Sequence, residues 1–440
     1  MGNHLVSLVR YREPYGSVKE AVELCKGLRD ISSNTKVFMK PNIVFWTKAV
    51  SFPKWGVITT SRVVQDMVVL LKEHGVEHIT IGEGPVTHRP GDTDTVHHAF
   101  DYLGYNKLEK RYGVKVVNIF ERPFKKVEVD EGIFLNFNKD ILESDFVVNL
   151  PVLKTHAQTI VSLGIKNLKG TIDINSRKKC HSPDPQRDLH FMIGLLPKEM
   201  PPMLTLIDGI YTNERGPSFD GKPRRSDILV ASGDLVSADK VGAKILGYDP
   251  SNIPHLVHVC RRYKRSLGLD DIKIVGERVD QVARPHHYSF PYNKSDTLPL
   301  PMERMGIKGL SYPKYDSTLC TYCSFLNGVV LYAISKAWKG VPWDEVEILT
   351  GKTMKPTPGM KKTILLGKCM YLANRNDPNI SEMIPVKGCP PEAQDVVRAL
   401  HKAGIMVDPV IFEQIESAPG ASMAKYQGKP QYDEGLFRIQ

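Results

Sequence analysis

The chain has 440 residues, of which 41% are hydrophobic and 25% charged, and its formal net charge is +10 at pH 7. These values are typical of a globular protein of two or three domains. No apolar run approaches the length of a membrane span, and the first residues lack the basic-then-apolar pattern of a signal peptide, so we expect a cytoplasmic protein without a membrane partner. The basic surplus is diffuse and no nucleic-acid-binding motif accompanies it, which favours a small anionic substrate over nucleic acid.

The first part of the chain alternates strand-like and helical segments. Strand patterns occur in LVSLVRY, TKVFMKPNIV and EHITIGEG, and helical apolar spacing occurs in VKEAVELCKGL and SRVVQDMVVLLKEHG. Ser17 and Glu20 predict a capping box at the start of the first helix. The alternation predicts an α/β domain, with a mostly parallel sheet flanked by helices.

The middle of the chain continues with strands and then loses its periodicity. A β-hairpin is predicted around Asp130-Glu131-Gly132, and buried strands are predicted in SDFVVNLPVLKTH, MLTLIDGIYTNE and SDILVASGD. Prolines and serines between residues 279 and 316 indicate a linker and a boundary near residue 300. We therefore predict an α/β domain over residues 1–300 and a smaller C-terminal, cysteine-bearing α/β domain over residues 301–440.

Four cysteines in the predicted C-terminal domain have a spacing typical of a metal centre. Cys320, Cys323, Cys369 and Cys389 read C-x2-C-x45-C-x19-C, and proline follows the last cysteine. Four thiolates can hold one [4Fe–4S] cluster or one zinc ion. Zinc sites often use two CxxC pairs, and this chain has one, so the spacing favours the cluster; structural zinc and scattered buried thiols remain alternatives.

Polar residues follow the predicted strands of the first domain, where an open α/β sheet binds its ligands. We expect Lys154 and His156 to be catalytic, since a lysine partly buried beside a histidine can exchange a proton or hold an anion. The residues expected to bind the substrate follow other predicted strands: Lys40, Asn42, His88, Arg89, Lys166, Asn167 and Asp208. Asp208 with Asp234 and Asp239 is an alternative divalent-cation site, although such aspartates more often cap helices and turns.

Several of these motifs resemble one known family. The segments MKPNIV, NLPVLKTH with GIKNLKG, and DGIYTNERGPSFDGKPRRSDILVASGDLVSADKVGA are similar to the domain of unknown function 362 family, over about residues 35–250. Members of that family are often described as iron–sulfur centre proteins, so the resemblance implies an iron–sulfur cluster and leaves the substrate open. Family members often carry closely spaced cysteines in a ferredoxin-like segment, whereas this chain spreads its cysteines over a separate domain.

A second resemblance concerns the segment from Thr59 to Pro90. TTSRVVQDMVVLLKEHG followed by GPVTHRP is similar to the start of nickel-dependent lactate racemases. The rest of that family's pattern does not occur here. The resemblance implies a related fold and a site for a small hydroxy-acid-like anion.

These patterns lead to one leading hypothesis and three alternatives. The leading hypothesis is an iron–sulfur oxidoreductase that uses electrons from one [4Fe–4S] cluster on a small anionic substrate in a Lys/His-lined pocket. The alternatives are a non-redox isomerase or lyase, an electron-transfer partner, and a structural zinc-binding protein. A redox partner protein is expected as electron donor, and a homodimer is compatible with the sequence, which leaves the substrate and the cluster potential open.

Overall fold

A computed structural model describes residues 4–89 and 91–439. Within them the chain divides into two compact units, which we call the first and the second unit. The first unit contains Met1–Cys180, His190–Ser289 and Pro419–Gln440. The second unit contains His181–Leu189 and Phe290–Ala418.

The strands are β1 His4–Arg10, β2 Val37–Pro41, β3 Ile79–Glu83, β4 Lys115–Asn118, β5 Phe124–Asp130, β6 Ile133–Asn138, β7 Phe146–Leu150, β8 Val152–His156, β9 Ile160–Ser162, β10 Met203–Glu214, β11 Lys222–Ser232, β12 Ile272–Gly276, β13 Leu310–Ser311, β14 Val346–Leu349, β15 Lys362–Leu366 and β16 Glu382–Val386.

The α-helices are α1 Gly16–Leu24, α2 Ser61–Glu73, α3 Thr93–Leu103, α4 Tyr105–Tyr112, α5 Lys139–Leu142, α6 Gly164–Asn167, α7 Ile174–Lys179, α8 Leu189–Gly194, α9 Leu235–Ile245, α10 Pro254–Arg262, α11 Val279–Val282, α12 Leu300–Arg304, α13 Thr321–Ala337, α14 Lys368–Asn374, α15 Ala393–Lys402, α16 Val410–Glu413 and α17 Gly420–Met423.

The first unit is built on one large mixed sheet in the order β12-β1-β11-β10-β7-β2-β3-β4, with β8 beside β10 and β9 beside β8. The pairings from β10 through β7, β2 and β3 to β4 are parallel, and β11 pairs antiparallel with β1 and β10. The predicted α/β class with a mostly parallel sheet is therefore confirmed. The predicted hairpin forms as β5 and β6, which pair with each other outside the large sheet.

The second unit has a parallel sheet of its own, in the order β13-β14-β15-β16. Its core packs α13 and α15 against the sheet through residues such as Val330, Ile334, Ile364 and Leu400. Because all of its strands run in one direction, their carboxyl ends lie at a single edge, which is where the cysteines fall.

The predicted capping box at the first helix is wrong. Helix α1 begins at Gly16, and no side chain caps it. Ser17 lies inside the first turn, and its hydroxyl accepts the N–H groups of Arg12 at 2.9 Å and Glu13 at 3.1 Å. The serine hydroxyl therefore stabilises the turn before α1 and does not cap the helix.

The C-terminal segment 419–440 was predicted in the C-terminal domain, and the structure instead places it in the first unit. Its aromatic residues explain this placement. The ring centroids of Tyr432 and Trp55 are 5.1 Å apart, those of Tyr426 and Trp55 are 6.1 Å apart, and Tyr432 stacks on Tyr211 at 6.3 Å. Burying such rings outweighs nearness in sequence to the second unit. The second unit begins at Phe290, about ten residues before the predicted boundary.

No helix among the described residues is long and apolar enough to cross a membrane.

Candidate functional site

The four cysteines lie at the carboxyl edge of the second unit's sheet. Cys369 is in the first turn of α14, directly after β15, and Cys389 follows β16 by three residues. Cys320 is the N-cap residue of α13, and Cys323 lies in its first turn. The loops after β15 and β16 are joined by a hydrogen bond from the Lys368 N–H to the Gly388 carbonyl at 3.0 Å. Three segments far apart in sequence therefore meet at one edge.

The thiols of these cysteines act on one another. A hydrogen bond with the Cys320 thiol, burial, and the neighbouring Cys389 and Cys369 thiols together raise the pKa of the Cys323 thiol well above its usual value. A Cβ atom placed on Gly367, next to the segment of Cys369, would lie 3.8 Å from Cys323 Sγ. All four cysteines are in the thiol form; Cys369 and Cys389 are exposed and the other two are half-buried.

The arrangement fits a thiolate-ligated cluster by the chemistry of its donors. The groups that shift the Cys323 pKa are thiols, with no carboxylate or imidazole among them. Within the described ranges, no three His, Cys, Asp or Glu residues converge on the position of a single ion. Four thiolates are the ligand set of one [4Fe–4S] cluster or of one zinc ion, so the donor chemistry is compatible with both.

A second polar group lies at the carboxyl edge of the first unit's sheet, and we call it the polar network. It contains Lys40, Asn42, Asn149, Lys154 and Asn167. The Asn167 side chain donates to Asn149 Oδ1 at 2.8 Å and accepts from Asn42 Nδ2 at 3.0 Å. Lys154 Nζ donates to Asn42 Oδ1 at 2.6 Å. Neighbouring strands position these groups, since Lys40 of β2 lies opposite Asn149 of β7.

Lys40 forms the charged part of the polar network. Its ammonium forms an ion pair with Glu83 at the end of β3, and both side chains are almost fully buried. Burial lowers the pKa of Lys40, while Glu83 opposes that shift. A Cβ atom on Gly170 would lie 2.6 Å from Lys40 Nζ, so the loop after α6 packs too closely to accept any larger residue.

Lys154 is enclosed by protein. The residue is 1% exposed, and besides Asn42 its amine donates to the Val57 carbonyl at 2.6 Å. Burial lowers the pKa of Lys154 to about 7; Glu83 opposes the shift, and Lys40 adds to it. The Lys154 amine, which the sequence predicts to be catalytic, therefore hydrogen-bonds the Asn42 side chain and the backbone of the loop at Val57.

His156 and Lys166 form a separate pair beside the polar network. Lys166 Nζ lies 3.4 Å from His156 Nε2. The backbone N–H of Gln158 donates to His156 Nδ1 at 3.1 Å. Burial, followed by Lys169 and Lys154, lowers the pKa of Lys166 well below its usual value. Lys166 is only half-buried, so this pair is more accessible than Lys154.

The remaining predicted residues lie elsewhere on the first unit. Asp208 accepts the N–H groups of Thr60 at 2.7 Å and Ile210 at 3.0 Å, and burial raises its pKa. Its carboxyl group thus accepts a backbone hydrogen bond at the start of α2. His88 is half-buried and Arg89 is exposed in the loop after β3, where the Arg89 carbonyl accepts the Thr87 hydroxyl at 2.7 Å.

Three further residues build this site, and none of them is among the residues predicted from the sequence to bind the substrate. Glu83 and Asn149 end their strands beside β2, and that shared edge was the signal that could have identified them as partners of Lys40 and Asn167. Arg177 was counted with the diffuse basic surplus. Its guanidinium instead donates to the carbonyls of Gly170 at 2.7 Å and Gly84 at 2.8 Å, which ties the α6 loop to the end of β3.

Comparisons with known proteins concern mainly the first unit. The chain is 28% identical over 255 residues to the thylakoid-associated protein sll1697 of Synechocystis sp., covering 58% of this chain and 73% of that protein. Among solved structures it is similar to the lactate racemase apoprotein from Thermoanaerobacterium thermosaccharolyticum, with a TM-score of 0.33 and 17% identity. That likeness covers 56% of this chain and 57% of the racemase chain, and at this TM-score it carries no conclusion.

The family model of the domain of unknown function 362 matches residues 37–244, a range that contains the polar network and the His156–Lys166 pair. It ends before the cysteines, so it describes the first unit's sheet and says nothing of the second unit. The resemblance predicted from the KTH and KNLKG segments is therefore confirmed over residues 37–244, which match the model of the domain of unknown function 362 family.

Proposed function

We propose that this protein is an iron–sulfur oxidoreductase that acts on a small anionic substrate. The observation that carries the proposal is the meeting of Cys320, Cys323, Cys369 and Cys389 at one edge of the second unit's sheet. Segments that are 45 and 19 residues apart in sequence supply them. These four residues would hold one [4Fe–4S] cluster, which supplies or accepts single electrons when bound.

The effect of the thiols on one another supports a bound ligand in the working protein. Each thiol raises the pKa of Cys323, so the group disfavours thiolates as long as nothing positive lies among them. A cluster or a metal ion reverses this effect, because it binds the deprotonated sulfur. The single CxxC and the wide spread of the other two cysteines support the cluster over zinc.

The first unit supports the second part of the proposal, an anionic substrate. Among the groups that act on Lys166, the cations Lys169, Lys154 and Arg177 each lower its pKa in addition to burial, whereas the Cys180 thiol raises it. Such a surplus of positive charge at the carboxyl edge of an α/β sheet favours a carboxylate or phosphate. In this proposal His156 is the proton donor, Lys166 contacts the substrate, and the polar network holds both in position.

We further propose that the protein acts in the cytoplasm and that a redox protein is its electron donor. Such a donor could approach the proposed cluster from the side of Cys369 and Cys389, because both residues are exposed. The Synechocystis relative is named as thylakoid-associated, and an association of this chain with a membrane surface would revise the proposed location.

The test is turnover of a reduced cluster. The anaerobic protein is reduced with dithionite, freed of excess reductant and mixed with a panel of small carboxylates and phosphates, while the visible absorbance is recorded. The proposal predicts that one compound restores the oxidised spectrum, and that His156→Gln slows this at least about 100-fold through loss of its acid catalyst. Product formation without any change in the spectrum would instead indicate an isomerase or lyase.

A further inference from the structure

We propose that Lys166 is a neutral, nucleophilic amine that forms an imine with the carbonyl group of an anionic aldehyde or ketone, such as a 2-oxo acid. This deepens the proposed function, because it names the substrate class of the same first-unit site. It does not depend on the identity of the metal centre in the second unit.

Hydrogen-bond geometry assigns the protons of the pair. The Gln158 N–H donates to His156 Nδ1 at 3.1 Å, so Nδ1 carries no proton and a neutral imidazole carries its proton on Nε2. Nε2 faces Lys166 Nζ at 3.4 Å. An N–H group can donate to an amine only if that amine has a lone pair, so this arrangement requires Lys166 as –NH₂.

The surroundings of Lys166 point in the same direction. Burial lowers the pKa of Lys166, and Lys169, Lys154 and Arg177 add to this effect because they repel a positive charge on its amine. The Cys180 thiol, which faces the same group, is kept protonated by its own burial. His255 also lies close enough to interact with Lys166, and its pKa is well below the usual value because of burial. A lysine that is desolvated beside other cations is a known way to make an amine nucleophilic at neutral pH.

The step balances without an oxidant or a reductant. The Nζ lone pair attacks the carbonyl carbon, the C=O electron pair moves to the oxygen, and this oxygen accepts a hydrogen bond from His156 Nε2–H. One proton then moves from the positively charged Nζ to the oxygen, which gives a carbinolamine. The second Nζ proton moves to the hydroxyl group as the C–O bond breaks and the C=N bond forms, so one water molecule is released and no electron is gained or lost.

The same cations supply selectivity for an anionic carbonyl compound. A neutral ketone gains nothing from the charges of Lys169 and Arg177, whereas a carboxylate next to the carbonyl group is attracted by both. The Lys166 residue is half-buried and therefore has a larger exposed fraction than Lys154. Lys154, in contrast, is 1% exposed and already bonded to two oxygens, so it is not the nucleophile.

The experiment traps the imine. The full-length protein, purified without oxygen, is incubated with glyoxylate and cyanoborohydride at pH 7, and the modified lysines are found by peptide mass spectrometry. An ordinary lysine has less than about 0.1% of its amine neutral at this pH, so we expect modification at Lys166 at least about 100-fold faster than at exposed lysines. Lys198, which is half-exposed on the surface, is the internal reference.

Variants separate the outcomes. Lys166→Met keeps the position uncharged and removes the adduct, Lys198→Arg leaves it, and His156→Gln slows its formation because the imidazole N–H no longer donates to the carbonyl oxygen. Modification spread over the lysines in proportion to their exposure would overturn the inference. The metal content of the same preparation is measured in parallel, so failure of the imine and failure of the cluster proposal are seen separately.

Discussion

The edges of the two sheets differ in how their polar side chains are satisfied. In the first unit, the amides and amines of the polar network bond one another, as in the 2.6 Å contact between Lys154 and Asn42. In the second unit, four thiols lie together and raise the pKa of Cys323. The polar groups of the first edge are hydrogen-bonded within the protein, and the second edge is where we propose a bound cluster. Substitutions should therefore change stability at the first edge and metal content at the second.

The largest expected effect is at Cys323. The Cys323→Ser variant should lose bound iron completely, because an alcohol does not replace a thiolate as ligand. Cys25→Ser is the matched control, since Cys25 is a buried cysteine of the first unit whose thiol donates to the Val22 carbonyl at 3.3 Å, a bond that serine can also make. Iron and sulfide analysis measures both. Equal iron in the two variants would remove Cys323 from the ligand set.

Substitution of Lys154 should affect stability and leave the metal in place. Lys154→Met removes the donor for Asn42 Oδ1 and the Val57 carbonyl, and two buried acceptors without donors cost about 2–4 kcal/mol in the free energy of unfolding. Lys198→Met, at an exposed ion pair with Glu199, should cost close to nothing. Urea unfolding measures both; an unchanged midpoint in Lys154→Met would mean that the polar network does not stabilise the first unit.

Substitutions in the C-terminal segment 419–440 should cause a smaller loss of stability, confined to the first unit. Tyr432→Ala removes a half-buried ring from Trp55 and Tyr211 and should cost about 2 kcal/mol. Tyr432→Phe keeps the ring and loses only the bond from the hydroxyl to the Pro223 carbonyl at 3.0 Å, so it should cost about 1 kcal/mol. Iron content should not change in either variant, and a loss of iron would contradict the assignment of residues 419–440 to the first unit.

Gly170 tests how closely the α6 loop packs on the ion pair. In Gly170→Ala the new Cβ atom would lie 2.6 Å from Lys40 Nζ, and relieving this overlap should cost about 1–2 kcal/mol. Gly233→Ala is the control, since a Cβ atom there meets nothing within 4 Å. Thermal unfolding compares the two. Equal melting temperatures would show that the loop moves aside freely.

The last expected effect is a pH dependence of stability. Burial lowers the pKa of Lys154 to about 7, so above that pH the unfolded chain binds more protons than the folded chain. The contribution of Lys154 to stability should therefore be flat below about pH 7 and rise with pH toward the ordinary lysine pKa of about 10.4. Unfolding free energies at pH 7 and 9 should rise more in the wild type than in Lys154→Met, and equal slopes would contradict the shifted pKa.

Much of the site could be predicted because strand ends can be recognised in sequence. Lys40, Asn42 and Lys154 each end or follow a strand, and parallel strands bring their carboxyl ends together, as they do here. The spacing of the cysteines likewise indicated one shared site. Local patterns were sufficient wherever one regular element decided the position of a residue.

The rest depended on tertiary contacts that no local pattern encodes. Whether Lys154 is exposed or enclosed is decided by Val57 and Asn42, which are about a hundred residues away in the chain. The position of the C-terminal segment follows from aromatic contacts with Trp55, and Ser17 bonds a preceding turn because the backbone there turns at Tyr15. Sequence patterns thus located the edges of the sheets, and packing decided which side chains remain available there.

The proposed cluster can be tested by the metal content of the anaerobically purified protein, together with its visible and spin-resonance spectra before and after dithionite. Four thiolate ligands around one cubane predict about four irons and four sulfides per chain, with a broad absorbance near about 400 nm that bleaches on reduction. Stoichiometric zinc without colour would contradict the cluster, and the second unit would then be a structural zinc domain.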